Sequence, residues 1–97
     1  MSPQENRIAK LLRIHGRVQG VGYRESMRQQ AQRLSLTGWV RNRRDGTVEA
    51  LVCGQEKQVD LIVEWAKQGP RFATVERVAA TEAEISVNEE FEILFTA

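Results

Sequence analysis

A chain of 97 residues with one cysteine and one histidine has room for a single hydrophobic core, and it lacks the residues for an internal disulfide or a Cys/His metal cluster. Hydrophobic residues at 41% and charged residues at 28% exclude a disordered or disulfide-framed chain, and no apolar run approaches the roughly 20 residues that cross a bilayer. The net charge of +1 hides an asymmetry: positions 1–46 carry ten Lys/Arg against three Asp/Glu and positions 47–97 carry four against ten, so the N-terminal half is expected to attract anions.

The opening stretch MSPQENRIAK has no apolar signal-peptide segment, so a cytoplasmic protein is expected, with no membrane partner. From Arg7 to Val18, Leu12, Ile14 and Val18 alternate with Arg13 and Arg17, the period of a half-buried strand. Tyr23, Met27, Ala31 and Leu34 then recur at helical spacing, with Arg24, Glu25, Arg28, Gln29 and Gln32 between them, which predicts an amphipathic helix. Trp39 to Arg43 reads as a second strand, Asp45-Gly46 as a hairpin turn, and Thr47 to Cys53 as a third strand holding Cys53 as a buried thiol. Val59, Ile62, Val63 and Ala66 mark one face of a helix over 55–68, stopped by Gly69-Pro70. Thr74 to Ala80 predicts a fourth strand, Glu82 to Glu90 an acidic connection, and Phe91, Ile93 and Phe95 a short alternating last strand.

The order strand, helix, strand, strand, helix, strand is that of the ferredoxin-like α+β sandwich. An antiparallel sheet with both helices on one face is expected, as one domain structured from about residue 7.

The segment richest in chemistry is HGRVQGVGYR, His15 to Arg24, where Gly16, Gly20 and Gly22 lie between the end of a strand and the start of a helix. Glycine tolerates positive φ and close ligand approach, so the amides of Arg17, Val18, Gln19, Gly20, Val21, Gly22 and Tyr23 can converge on phosphate oxygens at a helix N-terminus. Two familiar nucleotide loops are excluded by spacing. A P-loop needs Lys-Ser/Thr after its last glycine, where Gly20 is followed by Val21, and a dinucleotide loop needs a third glycine where Glu25 stands.

Arg24 falls in the first helical turn, where the helix dipole disfavours a cation unless an anion is bound. The first and second strands run in the same direction with the third between them, so Asn42 at the end of the second lies on the same sheet end as the loop. Arg28, Arg33 and Arg43 read equally well as solvated surface positions. No Ser, Cys or His nucleophile stands beside a base, and no carboxylate pair is present for acid-base work or metal binding. A neutral asparagine orients water but takes no proton, so the substrate must carry a good leaving group. An acyl phosphate does, since its carboxylate has a pKa of about 4.

GRVQGVGYR from Gly16 to Arg24 and GWVRNRRDGTVEALVCG from Gly38 to Gly54 resemble the two signatures of the acylphosphatase family, and the resemblance extends over nearly the whole chain. It implies that Arg24 binds the substrate phosphate, that the amides from Arg17 to Tyr23 cradle it, and that Asn42 orients the water. The implied reaction is metal-independent hydrolysis of an acyl phosphate to carboxylate and inorganic phosphate by a monomer that needs no cofactor. Tyr23 is a departure, since the family usually places Phe there.

Two other readings of the chain have less support. RNA-recognition domains of this fold need aromatic residues on their central strands, and Leu11–Val18 and Val48–Cys53 contain none, so no nucleic-acid partner is expected. A module that senses acyl phosphates without turning them over would not need both Arg24 and Asn42. His15, alone on its strand, makes neither a triad nor a metal site, and Trp39 and Trp65 read as packing residues.

Overall fold

A computed structural model of the chain describes residues 6–86 and 88–97; residues 1–5 of the opening stretch, and residue 87 in the acidic connection, lie outside it. The elements in chain order are β1 (Arg7–Arg17), α1 (Tyr23–Arg33), β2 (Thr37–Asn42), β3 (Val48–Gln55), α2 (Glu56–Ala66), β4 (Thr74–Ala83) and β5 (Phe91–Ile93). They form one five-stranded sheet in the order β4-β1-β3-β2-β5, with both helices packed on one side.

Alternation assigns the two faces. On β1 and β3, Leu12, Ile14, Val48, Ala50 and Val52 point to the helices and meet Met27, Ala31, Val59 and Ile62 in the main core. Full burial of each Val, Leu, Ile or Met among them contributes about 1.5–3 kcal/mol. Ala9, Leu51 and Cys53 form a smaller apolar cluster on the opposite face, beside Trp39 and Leu11. Cys53 is the buried strand thiol that its sequence context predicts. β3 is central, with the helices over one face and side chains of β1 and β2 such as Leu11, Trp39, Arg13 and Arg41 against the other, so its burial is continuous from Val48 to Gly54.

The expectation of an antiparallel sheet needs one correction. β1 pairs antiparallel with β3 and β4, and β2 antiparallel with β3, but β5 pairs parallel with β2, so the sheet is mixed. The connectivity gives the reason. β4 ends beside the start of β1, Ala83 opposite Ala9, and the chain then crosses that end of the sheet to the outer edge of β2. It joins at the start of β2, where the Gly38 amide donates to Glu90 O at 3.1 Å, and therefore runs in the direction of β2.

Several boundaries also move: β2 begins at Thr37 rather than Trp39, β3 runs on from Cys53 to Gln55, and α2 covers Glu56–Ala66 rather than 55–68. β4 continues past Ala80 to Ala83, paired with Ala9–Leu11, and the last strand closes at Ile93 rather than Phe95, although the Leu94 amide still donates to Val40 O at 2.9 Å. β1 and β2 are parallel with β3 between them, which brings the loop after β1 and the end of β2 to the same end of the sheet.

Candidate active site

The loop from Val18 to Gly22 is fastened from within and open outward. Val18 and Tyr23 are buried and Val21 is packed against the core, while Gly20 and Gly22 are exposed. Gly20 has φ 74° and Gly22, the N-cap of α1, has φ 79°; both values lie in the left-handed region that glycine enters without a Cβ penalty. The first helical bond is donated by Ser26 N to Gly22 O at 3.1 Å, and the N-cap has no side-chain acceptor for the first turn. As a result, none of the amides from Val18 to Glu25 donates to an acceptor among the described residues. Eight consecutive donors without partners among the described residues, at the positive end of a helix, are suited to an oxyanion.

Arg17 is placed differently from the rest of the predicted cradle. It closes β1 in register with Thr74 of β4, so its backbone belongs to the sheet, and its side chain is exposed.

Val18, Gly20, Gly22, Tyr23, Arg24 and Glu25, with Ile93 from β5, line a depression of about 200 Å³. Among the described residues Arg24 forms no ion pair, whereas Arg13, Arg28, Arg41 and Arg43 all do. Glu25 is the acidic wall of the depression and is tied to Arg28, whose hydrogen bond holds the Glu25 carboxyl below the usual carboxylate range. That pairing leaves the charge of Arg24 uncompensated and available to a ligand. A larger depression of about 340 Å³ lies at the other end of the helices, between Arg7, Arg33, Gln55 and Gln58. Size does not select a phosphate site; the unpartnered amides do.

Asn42 is not among the residues lining this depression. It is the last residue of β2, on the helix side of the sheet as Val40 is, and its Oδ1 is buried and accepts no hydrogen bond from a described residue. A buried acceptor left in this state is suited to a water O–H. Gln19 connects it to the loop. The Gln19 Nε2 donates to Arg43 O at 2.7 Å and to Thr47 O at 2.9 Å, clamping the glycine loop to the hairpin that begins at Asn42. From sequence alone Gln19 has only a backbone role, as one amide of the loop.

Other supports lie one layer further out. The Tyr23 hydroxyl donates to Ala66 O at the end of α2 at 2.8 Å; burial pushes the phenol well up, so it remains a donor. The ring packs against Trp65 with centroids 5.4 Å apart. On the opposite face, Glu49 receives Arg41 Nε at 2.9 Å and Arg13 and Arg43 at 3.4 Å, bracing both neighbours of Asn42. His15 lies on that face too, 3.1 Å from Arg77, and Trp39 lies under the Arg41 guanidinium at 4.8 Å.

The sequence profile of the acylphosphatase family matches residues 10–93. The chain belongs to the acylphosphatase family. An acylphosphatase of Azoarcus sp. is 53% identical over 81 residues, covering 84% of this chain and 83% of that one. The structure of an acylphosphatase from Coxiella burnetii superposes with a TM-score of 0.92 at 34% identity, covering 97% of this chain and 99% of that one. The same fold also occurs inside a longer chain: full-length HypF matches with a TM-score of 0.86 and 28% identity over 93% of this chain, which is 12% of HypF. As a member of the acylphosphatase family, the protein is a hydrolase that acts on acid anhydrides.

Proposed function

We propose that the amides from Val18 to Tyr23, entered from Arg17, and the Arg24 guanidinium hold the phosphate of an acyl phosphate, while Asn42 aims the water that displaces the carboxylate. The observation that carries this reading is the run of unpartnered amides beside an arginine that forms no ion pair among the described residues. Charge in the transition state spreads over the three equatorial oxygens of the transferring group, and fixed amides and a guanidinium stabilise it without reorganising.

Asn42 Oδ1 accepts a hydrogen bond from the water and turns a lone pair toward phosphorus. The new O–P bond forms as the P–O bond to the acyl group breaks. The electron pair leaves on the carboxylate, and the proton of the water ends on the phosphate product. A leaving group with a pKa of about 4 needs no general acid, and a water positioned against so reactive an anhydride needs no metal to activate it.

The test separates the two roles. Arg24→Ala should remove inorganic phosphate binding measured by calorimetry, together with turnover of benzoyl phosphate. Asn42→Ala should retain phosphate binding within about threefold and lose turnover by at least about a hundredfold. Parallel loss of binding and turnover in both variants contradicts the division. Turnover should also persist in EDTA, and activity abolished by the chelator contradicts the metal-free scheme. We propose a cytoplasmic monomer as the setting of this activity; no described helix is long and apolar enough to cross a membrane.

A further inference from the structure

We propose that Ile93 and Phe95 form an apolar shelf for the acyl group, so that the site selects mixed anhydrides with aromatic or bulky apolar acyl groups over acetyl-sized ones. The inference rests on the reading above, in which phosphate sits at the glycine loop and Arg24.

Phe91, Ile93 and Phe95 stand at strand spacing along β5 and its continuation, and their exposure climbs from 3% through 39% to 97%. Phe91 belongs to the core on the helix side of the sheet, and Ile93 lines the depression that contains Gly20, Gly22 and Arg24. Val40 pairs with Ile93, and past that pair the register slips by one residue, Ala97 rather than Thr96 donating to Asn42 O, so Phe95 lies between the Leu94 bond to Val40 and the Ala97 bond to Asn42. The segment is held in place there: Leu94 N donates to Val40 O at 2.9 Å, Ala97 N to Asn42 O at 3.1 Å, and Arg44 N to Ala97 O at 3.1 Å.

A single exposed apolar side chain is ordinary on a protein surface. Here the position sets it apart, because the ring is carried on a backbone-bonded strap between the candidate phosphate pocket and the candidate water-aiming residue. The acyl substituent is joined to phosphorus through one bridging oxygen, so it must leave the depression across its rim. The side chains at that rim are Arg24 and Glu25 on α1 and Ile93 on β5. An apolar substituent gains from crossing only over Ile93, and from there it meets Phe95. A polar or very short acyl group gains nothing from this route.

The test is the ratio of kcat/KM for benzoyl phosphate to that for acetyl phosphate in wild type, Ile93→Ser, Phe95→Ser and the double variant. The ratio is expected to fall about tenfold in the double variant, the factor for trading roughly half of an aromatic group's contact with the shelf for water. Phe95 at 97% exposure has no part in the core, so Phe95→Ser folds even if Ile93→Ser is damaged, and it is expected to account for at least a threefold fall alone. An active enzyme whose ratio stays within twofold of wild type in every variant overturns the shelf and leaves the phosphate site standing. Altered oligomeric state in Phe95→Ser with an unchanged ratio also overturns it, by making a second copy the occupant. Wild-type protein that hydrolyses neither anhydride overturns both the shelf and the reading beneath it.

Discussion

Replacing Gln19 by alanine keeps the loop amide and removes the two bonds that clamp the loop to Arg43 O and Thr47 O. Each bond has a net worth of about 1 kcal/mol, and neither carbonyl is orphaned by the change. Arg43 O still accepts Gly46 N at 3.1 Å, and Thr47 O still accepts Arg43 N at 2.8 Å. The loss of stability is therefore about 1–2 kcal/mol, a fall in Tm of roughly 5 to 15 °C for a domain of this size. The kinetic effect is expected to be larger. Gln19 is a positioning residue that fixes Asn42 relative to the phosphate loop, and a misplacement near 1 Å costs up to about a hundredfold in rate. Steady-state kinetics with benzoyl phosphate, paired with the inhibition constant of inorganic phosphate, should show kcat lowered about 10- to 100-fold and the inhibition constant changed by less than about threefold. A normal kcat with a lowered Tm would reduce the clamp to a structural tie. Phosphate affinity falling in step with kcat would mean that the side chain shapes the loop rather than its distance from Asn42.

Tyr23→Phe removes the donor to Ala66 O, a carbonyl at the end of α2, and should lower stability by about 1–2 kcal/mol in urea titrations while leaving kcat within about twofold. Glu49→Gln probes the carboxylate on the opposite face. Burial pushes the Glu49 carboxyl up, but Arg41, Arg43 and Arg13 together outweigh it and hold the group below its ordinary value of 4.5. A lowered pKa stabilises the fold fully above the unfolded-state value and loses its effect as pH falls through the folded-state value. The gap in urea midpoint between wild type and Glu49→Gln should thus be constant from pH 8 to about pH 5 and close below about pH 4.5. A gap that widens on acidification contradicts that sign.

Much of this was legible in the residues because single elements obey single rules. Tyr23, Met27 and Ala31 at helical spacing gave α1 to within a residue, and Asp45-Gly46 gave the hairpin. Arg24 and the glycines declared an anion site because a cation in a first helical turn and three glycines before it make little sense otherwise. The direction of β5 was not legible, since an alternating triplet is the same read against a parallel or an antiparallel neighbour. The end of β4 is hidden because Thr81 and Glu82 are polar residues on an edge strand, which carry no alternation. Gln19 escaped because its partners are backbone carbonyls of Arg43 and Thr47, 24 and 28 positions away, and a carbonyl leaves no mark in a sequence. Ile93 escaped for a related reason: only the parallel docking of β5 brings it to the loop.

The row of amide donors after β1 has a thermodynamic corollary. Groups that the folded chain leaves unpaired and an anion completes make that anion a partner in folding, because the unfolded chain offers it no comparable nest. At a phosphate concentration 100 times its dissociation constant the native state would gain about 2.7 kcal/mol, so a melting curve taken in phosphate buffer and one taken in a buffer without oxyanions would describe two different species.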